Sequence, residues 1–166
     1  MTTVTTRPVT EDQWRVWRAL RRTALATDPE AFGSTLADWS GPGDAEPRWR
    51  GRLAAVALNL VADLEGEPVG MLSASLPVDG TAALISMWVA PPARGLGVGD
   101  ALVHSALRWA LEQGARRVVL DVRQANGAAI ALYRRHGFRD EGWSSASDDP
   151  RSERRMVLDL APTGDL

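Results

Sequence analysis

The stretch VAPPARGLGVGDALV, Val89 to Val103, constrains this chain more than any other. An apolar run from Thr81 to Val89 reads as a strand and stops at Pro91-Pro92. Arg94 follows, then Gly95, Gly97 and Gly99 at alternate positions. From Asp100 to Gln113 the period changes: Leu102, Val103, Ala106, Leu107, Ala110 and Leu111 make one apolar helical stripe. Gly114 is placed to close that helix with a left-handed residue. A helix that begins here exposes unpaired N–H groups and a partial positive charge. Glycine lets a ligand reach that backbone without meeting a Cβ. Strand, glycine loop and helix therefore predict an anion site, suited above all to a phosphate or pyrophosphate. The Arg94 guanidinium fork suits the same oxygens. The competing reading is a tight strand-to-helix turn with no ligand.

The rest of the chain sets that unit in a sheet. Thr10 to Gln13 matches a capping box, and Trp14, Trp17, Leu20 or Arg21, Ala24 and Leu25 continue at helical spacing. Asp28-Pro29 ends that helix and begins a second. SGPGDAEP, Ser40 to Pro47, is a loop, and Trp49, Leu53, Val56 and Ala57 predict a third helix. LVADL and PVGMLSASL form a hairpin across Glu65–Glu67, with Thr81–Val89 as the next strand. RRVVLDV, Arg116 to Val122, is a buried strand. Asn126 caps a helix over Gly127–His136, closed by Gly137. FRDEGW and RRMVLDL are two terminal strands around the polar loop SSASDDPRSE. The order α, α, α, β, β, β, α, β, α, β, β predicts a mixed α/β (α+β) domain with a central mixed sheet flanked by helices. Three strands in succession argue against a doubly wound sheet.

Composition narrows the chemistry. The 166 residues, 45% of them apolar, fit one domain spanning 1–166. No apolar run is long enough for a membrane span, and the first residues lack the basic start and apolar block of a signal peptide. There is no cysteine, and the histidines, His104 and His136, cannot form a local metal motif. A net charge of −2 does not suit nucleic acid. The expectation is a cytoplasmic, metal-free protein. All 19 basic residues are arginine, so a P-loop, which needs lysine, is excluded. A dinucleotide fingerprint has its first glycine pair at Gly97 and Gly99 but Leu102 in place of the third. Asp121, at a strand end, keeps a dinucleotide-binding oxidoreductase reading open.

Arg94-Gly95-Leu96-Gly97-Val98-Gly99 resembles the R/Q-x-x-G-x-G/A signature of the GNAT N-acetyltransferase superfamily. QANGAAIALYRRHGFRDEG resembles that superfamily's N-x-x-A-x-x-x-Y-x-x-x-G-F segment, on Asn126, Ala129, Tyr133, Gly137 and Phe138. The likeness is strong from about Thr81 to Gly142. DPEAFGSTLADW, Asp28 to Trp39, is similar to a segment of bacterial small-molecule members.

The resemblance implies a GNAT-like acyl-CoA N-acyltransferase fold and acetyl-CoA as cofactor. Its pyrophosphate would lie on the N–H groups of Gly95, Leu96, Gly97, Val98, Gly99 and Asp100, beside Arg94. The pantetheine arm would run along the strand end at Met87, Trp88 and Val89, where the strand around Val119–Val122 splays away. Asn126 would contact that arm, or serve only as a helix cap. The implied reaction is attack of a primary amine, of a small molecule or a peptide N-terminus, on the thioester. The carbonyl oxygen would be met by an N–H near Trp88 or Val89. Tyr133 would assist the leaving sulfur. A phenol near pKa 10 donating to a thiolate near 8.5 works uphill by roughly 2 kcal/mol. Tyr133 is therefore an assisting hydrogen-bond donor unless the site lowers its pKa; otherwise it is a half-buried filler. Several members carry a glutamate early in the strand before the glycine loop. Here Ala82 to Ser86 has no carboxylate, and Glu30, Asp38 and Glu141 cannot be ranked, so no base is assigned. A non-catalytic acetyl-CoA sensor remains the alternative. The family also admits a homodimer. His104 and His136 read as structural, and Trp39 and Trp49 as core residues or an acceptor wall.

Overall fold

The computed structural model describes residues 2–144 and 152–160. Its elements are β1 (Val4–Pro8), α1 (Trp14–Thr27), α2 (Glu46–Ala55), β2 (Leu58–Leu64), β3 (Glu67–Ala74) and β4 (Thr81–Val89). They continue as α3 (Val98–Glu112), β5 (Arg117–Arg123), α4 (Gly127–Arg135), β6 (Arg139–Trp143) and β7 (Glu153–Asp159). The strands make one seven-stranded sheet in the order β1-β2-β3-β4-β5-β7-β6. Neighbours are antiparallel except β4 and β5, which are parallel.

Two apolar layers hold the helices on opposite faces. On one, Leu102, Val103, Ala106 and Ala110 of α3 are fully buried against Leu60, Leu72, Ala82 and Val118 of the sheet, and Leu132 and Tyr133 of α4 complete the layer. On the other, Trp17, Leu20 and Leu25 of α1 and Trp49 and Leu53 of α2 cover Val61, Met71 and Trp88. The expected stops hold: Gly114 and Gly137 take φ of +84° and +92° after α3 and α4. The Thr10–Gln13 capping box is formed. Glu65 and Gly66, both at positive φ, turn β2 into β3.

Two expectations need correction. A strand, β1, precedes the first helix; its β-branched run Val4-Thr5-Thr6 pairs with the edge of β2. The second predicted helix is a single 3-10 turn, Pro29–Ala31. Phe32 leaves it in extended conformation to bury its ring, which stops the turn from propagating. The helical order thus begins β, α, α rather than α, α, α. Most of the polar loop SSASDDPRSE lies outside the described residues.

The middle of β4 positions the site. Ser73 of β3 faces Ile85, but Met71 faces Trp88, so β4 carries one extra residue. Ser86, at φ +58°, sits in that bulge. Strand side chains alternate, so one inserted residue exchanges the two faces. Ala82 and Leu84 accordingly face the α3 layer, whereas Trp88 faces the α1 layer. Pairing with β5 ends just before the bulge, at Ala83↔Val119. Beyond it the two parallel strands separate and leave the β4 main chain open on that side.

Candidate active site

The separation of β4 from β5 opens a groove through the sheet. Leu84, Ile85, Ser86 and Met87 line one side, and Leu120, Asp121, Val122 and Arg123 the other. Asn126, the N-cap of α4, Ala129 and Tyr133 of α4, and Ala31 and Glu153 complete its lining. Parallel strands make this groove easily, because no tight turn joins them and only a crossover through α3 fixes their spacing.

At the end of β4 the chain turns through Pro91–Ala93 into the glycine loop. Gly95 and Gly97 adopt φ of +78° and +87°, the left-handed region that favours glycine. A Cβ at either would meet nothing within 4 Å, so here glycine serves the backbone conformation and not tight packing. Gly99 differs: its Cβ would come within 3.0 Å of Leu132 Cδ2 and 3.4 Å of Met87 Cε, so it lets α3 approach α4 and β4. The three alternate glycines therefore do two jobs. Gly97 is the N-cap of α3, and the first N–H returned to the helix is that of Ala101, to the Gly97 carbonyl at 3.0 Å. Among the described residues, the N–H groups of Gly95, Leu96, Gly97, Val98, Gly99 and Asp100 donate to no group in the chain. Left-handed residues that interrupt such a run form an anion-binding concavity, reinforced by the helix end.

Arg94 is placed differently from the expectation that it waits for an anion. Its Nε donates to the Val89 carbonyl at 2.9 Å and its Nη2 to Asp28 at 2.7 Å. It ties the glycine loop to the end of α1. Asp28 also accepts from Trp88 Nε1 at 2.8 Å. Burial pulls the Asp28 carboxyl up, but the Trp88 and Arg94 hydrogen bonds leave it below the ordinary carboxylate range. Asp100 braces the first turn of α3 through His136 Nε2 at 2.9 Å and Arg135 Nη2 at 3.2 Å. That assigns His136 and Arg135 a structural contact, while His104 is exposed.

Asn126 caps α4, its Oδ1 accepting from Ala129 N–H at 3.1 Å. Its amide NH₂ has no partner among the described residues and borders the groove. Tyr133 is 5% exposed, packs edge-to-face on Phe138 at 5.8 Å and borders the same groove. Burial pushes its phenol well above its usual range, so the hydroxyl stays protonated. The site does not lower the phenol pKa; Tyr133 is fitted to donate a hydrogen bond, not to give up its proton.

The three carboxylates left unranked by sequence fall apart in space. Glu141 pairs with Arg117 at 3.2 Å, on the far strands of the sheet. Asp38 accepts from Thr35 N–H at 2.9 Å and is held below the ordinary range by that backbone bond first. Glu30 lies exposed on the turn beside Ala31. The carboxylates bordering the groove are two that sequence did not nominate as bases, Asp121 and Glu153. Arg155 grips Asp121 at 3.1 and 3.2 Å, and Arg123 lies 3.6 Å from Glu153. With Asp121 so held in a mixed sheet, the dinucleotide reading loses its ribose contact. Trp39 and Trp49 stack at 4.3 Å inside the α1–α2 layer, and Trp49 is fully buried.

A second set of residues escaped sequence reading because nothing local marks it. Arg52 of α2 donates to Asn59 Oδ1 at 3.0 Å, Ser73 Oγ at 3.1 Å and Ser86 Oγ at 3.2 Å. It thereby fastens the bulge of β4 from behind. Arg21 of α1 lies over the Phe32 ring, 4.4 Å from its centroid. These contacts join residues far apart in sequence and have no motif.

A family model described as "Acetyltransferase (GNAT) family" matches residues 14–138. A mycothiol acetyltransferase of Salinispora tropica is 35% identical over 137 residues, covering 80% of this chain and 42% of that protein. The chain spans less than half the length of the curated relatives it matches. An acetyltransferase of the GNAT family from Streptococcus pneumoniae superposes with a TM-score of 0.76 at 22% identity, over 96% of this chain and 100% of that one. An N-acetyltransferase from Thermoplasma acidophilum, solved in complex with coenzyme A, superposes with a TM-score of 0.74 at 14% identity, over 95% and 99%. At these identities the superpositions establish a shared fold.

Proposed function

The chain belongs to the GNAT acetyltransferase family, and from that premise we propose that it moves an acetyl group from acetyl-CoA to a primary amine by direct attack on the thioester. Residues 1–166 act in this reading as one catalytic domain. The carrying observation is the run of unpartnered N–H groups from Gly95 to Asp100, which follows the end of β4 and at Gly99 comes up against Met87, a residue of the groove between β4 and β5. A diphosphate fits that donor set: it is acceptor-only, and the loop there presents donors only. The edge of β4 from Met87 to the Val89 N–H, beyond the end of its pairing with β5 and short of the Val89 carbonyl that Arg94 takes, suits an extended amide-bearing arm, which pairs as an added strand would. The Asn126 amide and the Tyr133 hydroxyl, both bordering the groove, suit its far end.

Bound acetyl-CoA supplies the activated acyl group. The chain's residues then have three tasks. The main-chain N–H of Val89, which points to the open edge because Trp88 and Ala90 turn theirs toward β3, stabilises negative charge growing on the carbonyl oxygen. Tyr133 holds its proton and donates a hydrogen bond toward the departing sulfur. The groove carboxylates are occupied by Arg155 and Arg123, so the amine enters neutral or releases its proton to water. The kcat/KM should therefore rise with pH and level off at the pKa of the acceptor amine, not at that of a protein carboxylate.

The test is twofold. Calorimetry with acetyl-CoA and with NAD should give micromolar affinity, about −8 kcal/mol, for the first alone. Release of free thiol in the presence of an amine panel should report turnover. Tight binding with no transfer to any amine would mean a sensor module; binding of NAD instead would mean a dinucleotide site.

A further inference from the structure

The layer formed by α1 and α2 contains two guanidinium groups that have no counter-charge among the described residues. Arg21 Nη1 is buried and has no hydrogen-bond partner. Arg52 bonds only to the neutral oxygens of Asn59, Ser73 and Ser86. The aspartates of this layer are already occupied: Asp44 by Arg18, Arg22 and Trp49, Asp28 by Arg94 and Trp88, Asp38 by Thr35. Glu30, on the turn before Phe32, is exposed and makes no ion pair with Arg21 or Arg52. Two more buried donors of the layer, Trp14 Nε1 and Trp39 Nε1, are also unpartnered. An uncompensated buried cation is costly, and a second cation nearby adds to the cost. Burial, and then the charge of Arg52, draw the Arg21 pKa down to about 10, so it remains charged near neutrality.

One guanidinium contacts a residue of the groove, and the other is close enough to feel its charge. Arg52 reaches the groove through Ser86, the strained residue of the bulge that lines it. Arg21 lies over Phe32, next in sequence to the groove residue Ala31. This is the face of the sheet opposite α3 and Tyr133, the side that the acetyl-transfer reading leaves for the acceptor once the cofactor occupies the α3 side. We propose that the acceptor amine carries a carboxylate in the same small molecule, held by Arg21 with Arg52 behind it, so that the substrate class is a free amino acid or a carboxylate-bearing amine of similar size. The missing counter-charge of the free protein is then supplied by the substrate. A peptide N-terminus, whose carboxylate is remote, fits this wall less well.

The inference rests on the acetyl-transfer reading, and its test separates the two. The purified protein is assayed with acetyl-CoA against proteinogenic amino acids, their α-amides and the corresponding decarboxylated amines. The acids should exceed the amides at least tenfold in kcat/KM. Arg21→Gln should raise KM for the acids at least tenfold and collapse the acid-to-amide ratio; Arg21→Lys should restore part of it. In parallel, calorimetry compares N-acetyl amino acids with their amides in the presence of coenzyme A. The acids should bind the wild type and not Arg21→Gln. The melting temperature of Arg21→Met should equal or exceed that of the wild type, because it removes an unpaired buried charge, which shows that the variants fold. Equal use of acids and amides, or loss of both together in Arg21→Gln, would overturn the proposal while leaving acetyl transfer intact. Carboxylate binding that depends on Arg21, without turnover of any amine, would support this site and overturn acetyl transfer.

Discussion

On the α3 side of β4 the glycine loop offers main-chain N–H groups; on the α1 side stand side chains, among them the guanidiniums of Arg21 and of Arg52, which reaches the groove residue Ser86. The first wall is written in a dozen consecutive residues, because left-handed turns and a close helix start demand glycine at fixed places. The second is assembled from α1, α2, β2, β3 and β4, each contributing one or two groups. A wall of backbone can serve a ligand common to a whole family. A wall of side chains can be changed one residue at a time, and is where an acceptor would be chosen.

The contrast is sharpest where each wall is broken separately. Arg94→Glu combined with Gly97→Asp puts two negative charges at the mouth of the backbone wall and a Cβ at φ +87°. Acetyl-CoA affinity should fall by about a hundredfold or more, about 2.7 kcal/mol, in calorimetry. Gly99→Val tests whether its glycine is for packing: with a Cβ already within 3.0 Å of Leu132, it should cost about 2 kcal/mol of stability in denaturant unfolding. Tyr133→Phe, within the groove, should lower kcat about tenfold, about 1.4 kcal/mol, with acetyl-CoA affinity within twofold of wild type. A wild-type rate would reduce Tyr133 to a packing residue.

Much of the fold was legible in the sequence. The α3 stripe, its glycine stop and the strand before it appear as expected because each is set by local period and capping. The Pro29 helix failed because Phe32 finds a burial site that outweighs helix propagation, a tertiary effect. The N-terminal strand escaped because five residues are too few for a period to speak. In the site, the glycine loop and Tyr133 were legible as a motif, whereas the ion pair of Arg94 with Asp28 was not. That pair depends on Trp88 turning to the α1 face, which follows from one inserted residue at Ser86. Arg21 stood in the sequence only as an alternative to Leu20 on the α1 stripe, and Arg52 not at all, because no rule of sequence says which of nineteen arginines lacks an acid.

The smallest effect concerns the brace beneath the backbone wall. Burial raises the Asp100 carboxyl, but hydrogen bonds from His136 and Arg135 bring it below its ordinary value. A depressed carboxylate contributes stability above its unfolded pKa of about 3.9, and that contribution is lost as pH falls through the lower folded value. Asp100→Asn should flatten the acid limb of a melting-temperature profile by about half a kcal/mol or less, since the pair is partly exposed.

The backbone wall itself is tested most directly by a crystal structure with coenzyme A. The diphosphate should lie within hydrogen-bond distance of the N–H groups between Gly95 and Asp100, with the pantetheine arm along Met87 to Val89. Coenzyme A lodged elsewhere, with those N–H groups turned to solvent, would contradict the account.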